Sequence, residues 1–185
     1  MSLNYIENCI WRIKKLQEHN SFSEYFKSKT NKIFYIAEVG GNHEGSFELA
    51  KSLCRLAINS GADAVKFQLY YGDTLVNPVN AADRNKHFKK FELTKEQHIE
   101  LAKMTIDAGK YYMASVWDEE MLSWIDEFIE IHKVGSGDLT HFKMLKLLTE
   151  TGKPIILSTG LSNIEEIQKA VNFIVEIDRS YLLEK

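Results

Sequence analysis

Gly61-Ala-Asp-Ala-Val-Lys-Phe-Gln68 decides the fold, because within eight residues it stops a helix, forms a short apolar strand and ends that strand on polar groups. Gly61 closes an amphipathic helix over Phe47–Ser60, whose stripe is Leu49, Ala50, Leu53, Leu56 and Ala57. Asp63–Gln68 then reads as a strand, with Lys66 standing where an apolar residue is expected.

Outward from this unit the same alternation repeats. Upstream, Ile33–Ala37 is a short apolar run reading as a buried strand, ended by Gly40-Gly41-Asn42. Downstream, Tyr70–Glu92 is long, polar and weakly periodic, which predicts an active-site loop with fragments of helix. Thr94–Gly109 predicts a helix, with Thr94 and Gln97 spaced as a capping box and Gly109 as the stop. Tyr111–Ser115, Ile129–Val134 and Ile155–Thr159 predict three further strands. Helices are expected at Glu119–Phe128, His141–Thr151 and Asn163–Ile177. Five strand–helix units in a row argue for an α/β fold with a parallel sheet flanked by helices. Residues 1–31 differ: Tyr5, Ile6, Ile10, Ile13 and Leu16 recur at helical spacing before a Ser-rich stretch, predicting a helical extension and linker outside a main domain at 32–185.

Composition narrows the function classes. The chain has 185 residues, 44% hydrophobic and 26% charged, enough for one sizeable core. A net charge of -3 gives no reason to expect nucleic acid or an anionic membrane surface as partner, so any anionic ligand must be held by a local cluster of donors. No apolar run reaches the roughly 20 residues of a membrane span, and the N-terminus lacks a signal-peptide pattern. Cys9 and Cys54 have no metal or redox spacing and read as incidental reduced thiols. These features fit a cytoplasmic enzyme.

Chemistry collects after the strands. Their carboxyl ends carry Glu38 with Asn42 and His43, then Lys66 and Gln68, then Ser115, then Lys133, Ser136 and Asp138, then Ser158 with Gly160. A doubly wound sheet concentrates ligand groups at one switch point, whereas a barrel brings every strand end to one mouth, so this distribution favours a barrel. Two lysines with hydroxyls and glycine-exposed backbone N–H groups suit a compact dianion such as phosphate. Glu38 and Asp138 are candidates for sugar binding or proton transfer. A lysine at one strand end is commonly a solvated cation. Two of them, each interrupting an apolar run, make a site the better reading. His43 reads as a structural hydrogen-bonding residue.

Ile36-Ala-Glu-Val-Gly-Gly-Asn-His-Glu-Gly45, Gly61–Gln68, Lys133-Val-Gly-Ser-Gly-Asp138 and Gly152-Lys-Pro-Ile-Ile-Leu-Ser-Thr-Gly160 together resemble the N-acetylneuraminate (sialic acid) synthase family. The resemblance implies a (β/α)8 TIM-type barrel and a divalent metal, Mn2+ or Mg2+. It implies condensation of phosphoenolpyruvate with N-acetylmannosamine, its 6-phosphate or a related N-acetylated amino sugar. By position it makes Lys66, Ser115, Lys133, Ser136 and Ser158 phosphoenolpyruvate ligands. It sets Glu38, Gln68 and Asp138 towards the sugar and the reacting carbons, with Asn42 beside them. In the implied mechanism the metal polarises the sugar aldehyde, C3 of phosphoenolpyruvate attacks it, water adds at C2 and phosphate leaves by C–O cleavage.

The chain departs from the family at Ser115-Val-Trp-Asp118, where many members have Thr-Pro-Phe-Asp, and at Asp138, where many bacterial members have Glu. A whole barrel takes about 250 residues, and only about five units are expected here. The family's two metal-binding histidines lie on later strands, so the metal ligands are expected outside this chain. The expectation is an incomplete synthase, inactive alone, with open edges on its first and fifth strands that favour self-association or a missing C-terminal half. A split enzyme and a noncatalytic phosphate-binding half-barrel are the alternatives, and another phosphoenolpyruvate-dependent 3-deoxy sugar acid synthase is the competing enzyme.

Overall fold

The computed structural model describes residues 33–183, so the expected N-terminal helix and Cys9 lie outside the described residues. Strands β1 (Ile36–Gly40), β2 (Ala64–Leu69) and β3 (Tyr111–Val116) pair in parallel in that order. Strands β4 (His132–Val134) and β5 (Ile155–Leu157) form a second parallel pair, with β4 packed beside β3. Between β1 and β2 runs α1 (Phe47–Asn59). Between β2 and β3 lie α2 (Gly72–Leu75), α3 (Ala82–Lys90) and α4 (Lys95–Asp107). Helix α5 (Glu119–Ile125) precedes β4, α6 (Phe142–Glu150) precedes β5, and α7 (Ile164–Leu183) follows it. No helix among the described residues is long and apolar enough to cross a membrane.

Side-chain caps start several of the helices. Ser46 caps α1 by accepting from the Leu49 N–H, Asp118 caps α5, and the Thr94–Gln97 capping box opens α4 as its spacing predicted. Such caps fix where each helix leaves its strand, and therefore where each strand end points.

Two apolar layers share the strands between them. Successive strand residues face opposite sides. Val65, Phe67 and Leu69 of β2, with Tyr112 and Ala114 of β3, pack into the main core under the helices. The alternate residues, Ala64, Tyr111, Met113 and Ile131, cluster on the other face with Phe34, Ile36 and Ile156. One step further along that second face stand Glu38 after Ile36, Lys66 after Ala64, Ser115 after Met113, Lys133 after Ile131 and Ser158 after Ile156. The face that is apolar at the amino ends of the strands is thus polar at their carboxyl ends, on all five strands.

Several boundaries move from the sequence expectation. The first strand begins at Ile36, not Ile33, and extends to Gly40. Ile33 is exposed, and the Tyr35 backbone is bound instead by Asp63, whose carboxylate accepts the Tyr35 N–H at 2.9 Å. The fourth strand shrinks to His132–Val134, because Asp126–Phe128 adopts a 3-10 turn that Ile129 closes. The fifth ends at Leu157, although the Ser158 N–H still reaches the Val134 carbonyl at 3.1 Å. The last helix runs on to Leu183. Cys54 is free and buried against Thr105, in line with an inert thiol.

At the amino ends of β4 and β5 a buried polar cluster ties the pair to the preceding turn. Asp126 Oδ1 lies 3.2 Å from Nε2 of the buried His132, and Asp126 Oδ2 lies 2.8 Å from Lys153 Nζ. Burial alone would raise the Asp126 carboxyl, but the His132 ring and the Lys153 ammonium beside it outweigh burial and hold the carboxyl below its ordinary value. A depressed carboxylate stabilises above the unfolded-state value of about 3.9 and loses that contribution as pH falls through the folded value. Asp126→Asn is therefore expected to cost about 1–3 kcal/mol at neutral pH. The difference from the parent should shrink towards zero below about pH 4, as measured by urea unfolding across that range.

Candidate active site at the strand carboxyl ends

The parallel register sets the floor of the site. Glu38 stands opposite Lys66, and Gln68 opposite Ser115. Lys66 is buried and its Nζ lies 2.5 Å from Glu38 Oε2, whose side chain is 46% exposed. The lysine therefore points into the site and not to solvent, and its partner carboxylate stands at the open rim. On the second strand pair, Lys133 Nζ donates to Ser158 Oγ at 2.5 Å and to the Val134 carbonyl at 2.7 Å. Ser136, in the 3-10 turn after β4, meets the loop after β5: a Cβ placed on Gly160 would lie 3.4 Å from Ser136 Oγ.

Electrostatics join the two halves. Burial is the main cause holding the Lys133 ammonium below its ordinary value, followed by the positive charge of Lys66, while Glu38 and Asp138 pull it back up. Four charged groups from β1, β2 and the β4 end thus act on one space. The positive charge of Lys66 disfavours the Lys133 ammonium, and an anion beside Lys133 would offset that cost.

The remaining predicted residues take their places as follows. Gln68 is half-buried beside Gly40, whose added Cβ would come within 3.6 Å of Gln68 Nε2. Ser115 is buried at the end of β3. The Asp138 carboxylate accepts a hydrogen bond from Trp117 Nε1. Asn42 is exposed, and its side-chain amide donates to the Val39 carbonyl at 2.8 Å, closing the turn after β1. His43 is buried, with Nδ1 accepting from the Gly45 N–H at 3.1 Å, which fits a structural role. His98, buried nearby, is lowered to about 3 by burial and then by His43.

The Tyr70–Glu92 stretch is more organised than its polar sequence suggested. The buried Asn85 amide donates to the carbonyls of Gly72 and Val76, both at 2.9 Å, and the Glu92 carboxylate accepts the Gly72 N–H. Lys89 pairs with Asp73 at 2.7 Å. These bonds fold α2 and α3 back over the turn after β1, where Phe91 comes within 3.9 Å of a Cβ placed on Gly41. Tyr70, Phe88 and Trp117 form an aromatic row along this side, with ring centroids 5.4 Å apart for Tyr70–Phe88 and 5.7 Å for Tyr70–Trp117. Sequence reasoning missed Trp117 as the partner of Asp138. Its departure from the resembled pattern was the one available signal.

The metal implied by the resemblance finds no holder among the described residues. Among the described residues no group of three or more His, Cys, Asp and Glu side chains is placed to bind an ion, and His43 is already engaged with backbone.

Comparison with known proteins gives a consistent result. Residues 53–184 match the profile of the NeuB family. An N,N'-diacetyllegionaminic acid synthase of Legionella pneumophila is 34% identical over 152 residues, covering 75% of this chain and 43% of that protein. Human N-acetylneuraminate-9-phosphate synthase is 27% identical over 160 residues, covering 80% of this chain and 45% of that protein. The crystal structure of an N-acetylneuraminic acid synthetase from Leptospira borgpetersenii, in complex with citrate, superposes with a TM-score of 0.75 at 28% identity. That overlap covers 80% of this chain and 51% of the other, so the chain spans about half the length of the relatives it matches. The likeness places the fold in the α/β, TIM-barrel type.

Proposed function

The chain belongs to the NeuB family, and from that premise we propose that it forms the phosphoenolpyruvate-binding part of a nonulosonate synthase, built as the first five units of a (β/α)8 barrel. The reaction is condensation of phosphoenolpyruvate with N-acetylmannosamine, its 6-phosphate or a related N-acetylated amino sugar. The carrying observation is the pair of inward lysines on separate strand pairs, Lys66 beside Glu38 and Lys133 beside Ser158.

Phosphoenolpyruvate carries its phosphate and its carboxylate on the same carbon, which calls for two cationic contacts a few ångströms apart. Lys66 and Lys133 supply them, and the hydroxyls of Ser115, Ser136 and Ser158 line the same strand ends. C3 attacks the sugar aldehyde, forming a C–C bond as the carbonyl π pair passes to the aldehyde oxygen and leaving cationic character at C2. Water adds at C2; one of its protons neutralises the new alkoxide, the other leaves as the C2 hydroxyl becomes the ketone, and phosphate departs with the electron pair of the broken C2–O bond. The lysines stabilise the phosphate charge that grows as this bond cleaves, through dipoles and charges already in position. This reading assigns the proton of the attacking water to Glu38, at the rim, with Asp138 as the alternative. The metal of the resemblance would supply Lewis acidity at the aldehyde. The described residues offer it no site.

The test is calorimetric titration of the chain with phosphoenolpyruvate, followed by an assay for phosphate release. The assay uses N-acetylmannosamine, N-acetylmannosamine 6-phosphate and diacetamido sugars, each with and without manganese. Binding competed by inorganic phosphate, with no release by the chain alone, is the expected result. Absence of phosphoenolpyruvate binding overturns the proposal. Release dependent on an amino sugar would overturn the expectation that the chain is inactive alone, and release with a plain aldose phosphate redirects the reading to a 3-deoxy sugar acid synthase.

A further inference from the structure

Trp117 is the first residue beyond β3, and its backbone N–H donates to the Leu69 carbonyl at 3.1 Å, so its main chain continues the β2–β3 ladder by one rung. Its ring rests against Tyr70, which is 5% exposed and in turn meets Phe88 of α3 edge-on. With backbone and ring both fixed, the direction of the indole N–H is fixed too, and it ends on Asp138 Oδ2. Asp138 begins no α-helix: α6 starts after His141, and the Asp138 carboxylate caps no backbone N–H there. The approach is tight. A Cβ added to Gly135 would lie 3.3 Å from the same Oδ2. The carboxylate is half-exposed and within electrostatic reach of Lys133, so it stands beside the anion site without being consumed by it.

An aspartate side chain is one methylene shorter than glutamate and has few rotamers. A single strong donor on one oxygen fixes it and leaves the other oxygen as an acceptor. A polyhydroxylated ligand presents hydroxyl and amide N–H donors that such an acceptor recognises, whereas an anion is repelled by it.

We propose that Trp117 is a positioning residue that sets specificity for the amino sugar: its indole N–H orients Asp138 so that the free carboxylate oxygen receives a hydroxyl or acetamido N–H of the sugar beside bound phosphoenolpyruvate. This rests on the synthase reading above. Tyr70 and Phe88 belong to the same device, because they hold the indole in plane from the α3 side of the mouth.

Trp117→Phe keeps the ring against Tyr70 and removes only the donor. Wherever the phosphate-release assay shows turnover, this variant is expected to raise the KM for the amino sugar at least tenfold while the phosphoenolpyruvate KM stays within about twofold. Asp138→Asn should act similarly, and the double variant should be no worse than the worse single one, since both disrupt one contact. The indole N–H resonance of Trp117, assigned by its loss in Trp117→Phe, provides a readout that needs no turnover. With phosphoenolpyruvate bound, N-acetylmannosamine should shift it. An unchanged sugar KM in Trp117→Phe, or an indole resonance indifferent to each amino sugar in the panel, overturns the proposal. Failure of the chain to bind phosphoenolpyruvate is separate: it removes the synthase reading, while the resonance still reports whether a sugar meets the Trp117–Asp138 pair.

Discussion

Lys66→Met is expected to lower the affinity for phosphoenolpyruvate at least about 30-fold, the lower end when one partner of a buried, hydrogen-bonded charge contact is truncated. Methionine keeps the length and apolar stem of the side chain, so the strand packing around Val65 and Phe67 is preserved and the loss reports the missing ammonium. Glu38 is nearly half exposed and is not left as a buried orphan, so the fold should tolerate the change. Its freed charge then faces the incoming phosphate and deepens the loss. Lys66→Arg should not restore binding, because a planar guanidinium is bulkier than the compact ammonium that β2 buries at this position. Titration calorimetry gives the affinities, and far-ultraviolet circular dichroism checks the fold. Parent-like affinity in Lys66→Met would move the anion site off these strands altogether.

The same residue explains what was legible in the sequence. Lys66 inside Ala-Val-Lys-Phe-Gln announces itself because nothing apolar can replace it without loss of a charge, and a strand buried on both faces tolerates a charge only where it has a partner. The partner, Glu38, sits one strand away in register, which a single sequence does not state. The alternation of helix and strand, the caps at Thr94 and the stop at Gly109 are local, so they read directly. Strand ends are not local. Ile129 carries the composition of a strand and is diverted by the turn at Asp126–Phe128, where the Asp126 carboxylate pairs with His132 of β4 and with Lys153 just ahead of β5. The helix fragments expected in Tyr70–Glu92 are α2 and α3, but what holds them in place was unreadable for a similar reason. Their order comes from one buried asparagine and one glutamate capturing backbone groups, and neither leaves a periodic trace. The Trp117–Asp138 contact needed the loops after β3 and β4 to be placed together first.

Gly45→Ala is expected to be the most damaging single-methyl change at the mouth, because the new Cβ has nowhere to go. Gly45 has φ +81, and an ideal Cβ there would lie 2.0 Å from the Lys90 carbonyl oxygen and 3.1 Å from its carbon. That oxygen is backbone at the end of α3, so no rotamer change relieves the clash; the α3–Phe91 segment must lift from the turn after β1. Left-handed strain of about 1–2 kcal/mol adds to an overpacking cost of about 1–3 kcal/mol, which corresponds to a fall of roughly 5–15 °C in Tm for a domain of this size. Gly61→Ala separates the two contributions: its φ is +88 but no atom lies within 4 Å of the added methyl, so only the strain remains. Thermal unfolding should therefore rank Gly45→Ala well below Gly61→Ala. Hydrogen exchange should localise the difference, with amides of α3 and Phe91 losing protection in Gly45→Ala alone. Phosphoenolpyruvate affinity should fall with it, because Phe91 covers the Gly41 turn that leads out of the Glu38 strand. Equal losses in the two variants would mean that the Tyr70–Glu92 segment does not press on this turn in solution, and that the mouth is open on the side where the structure closes it.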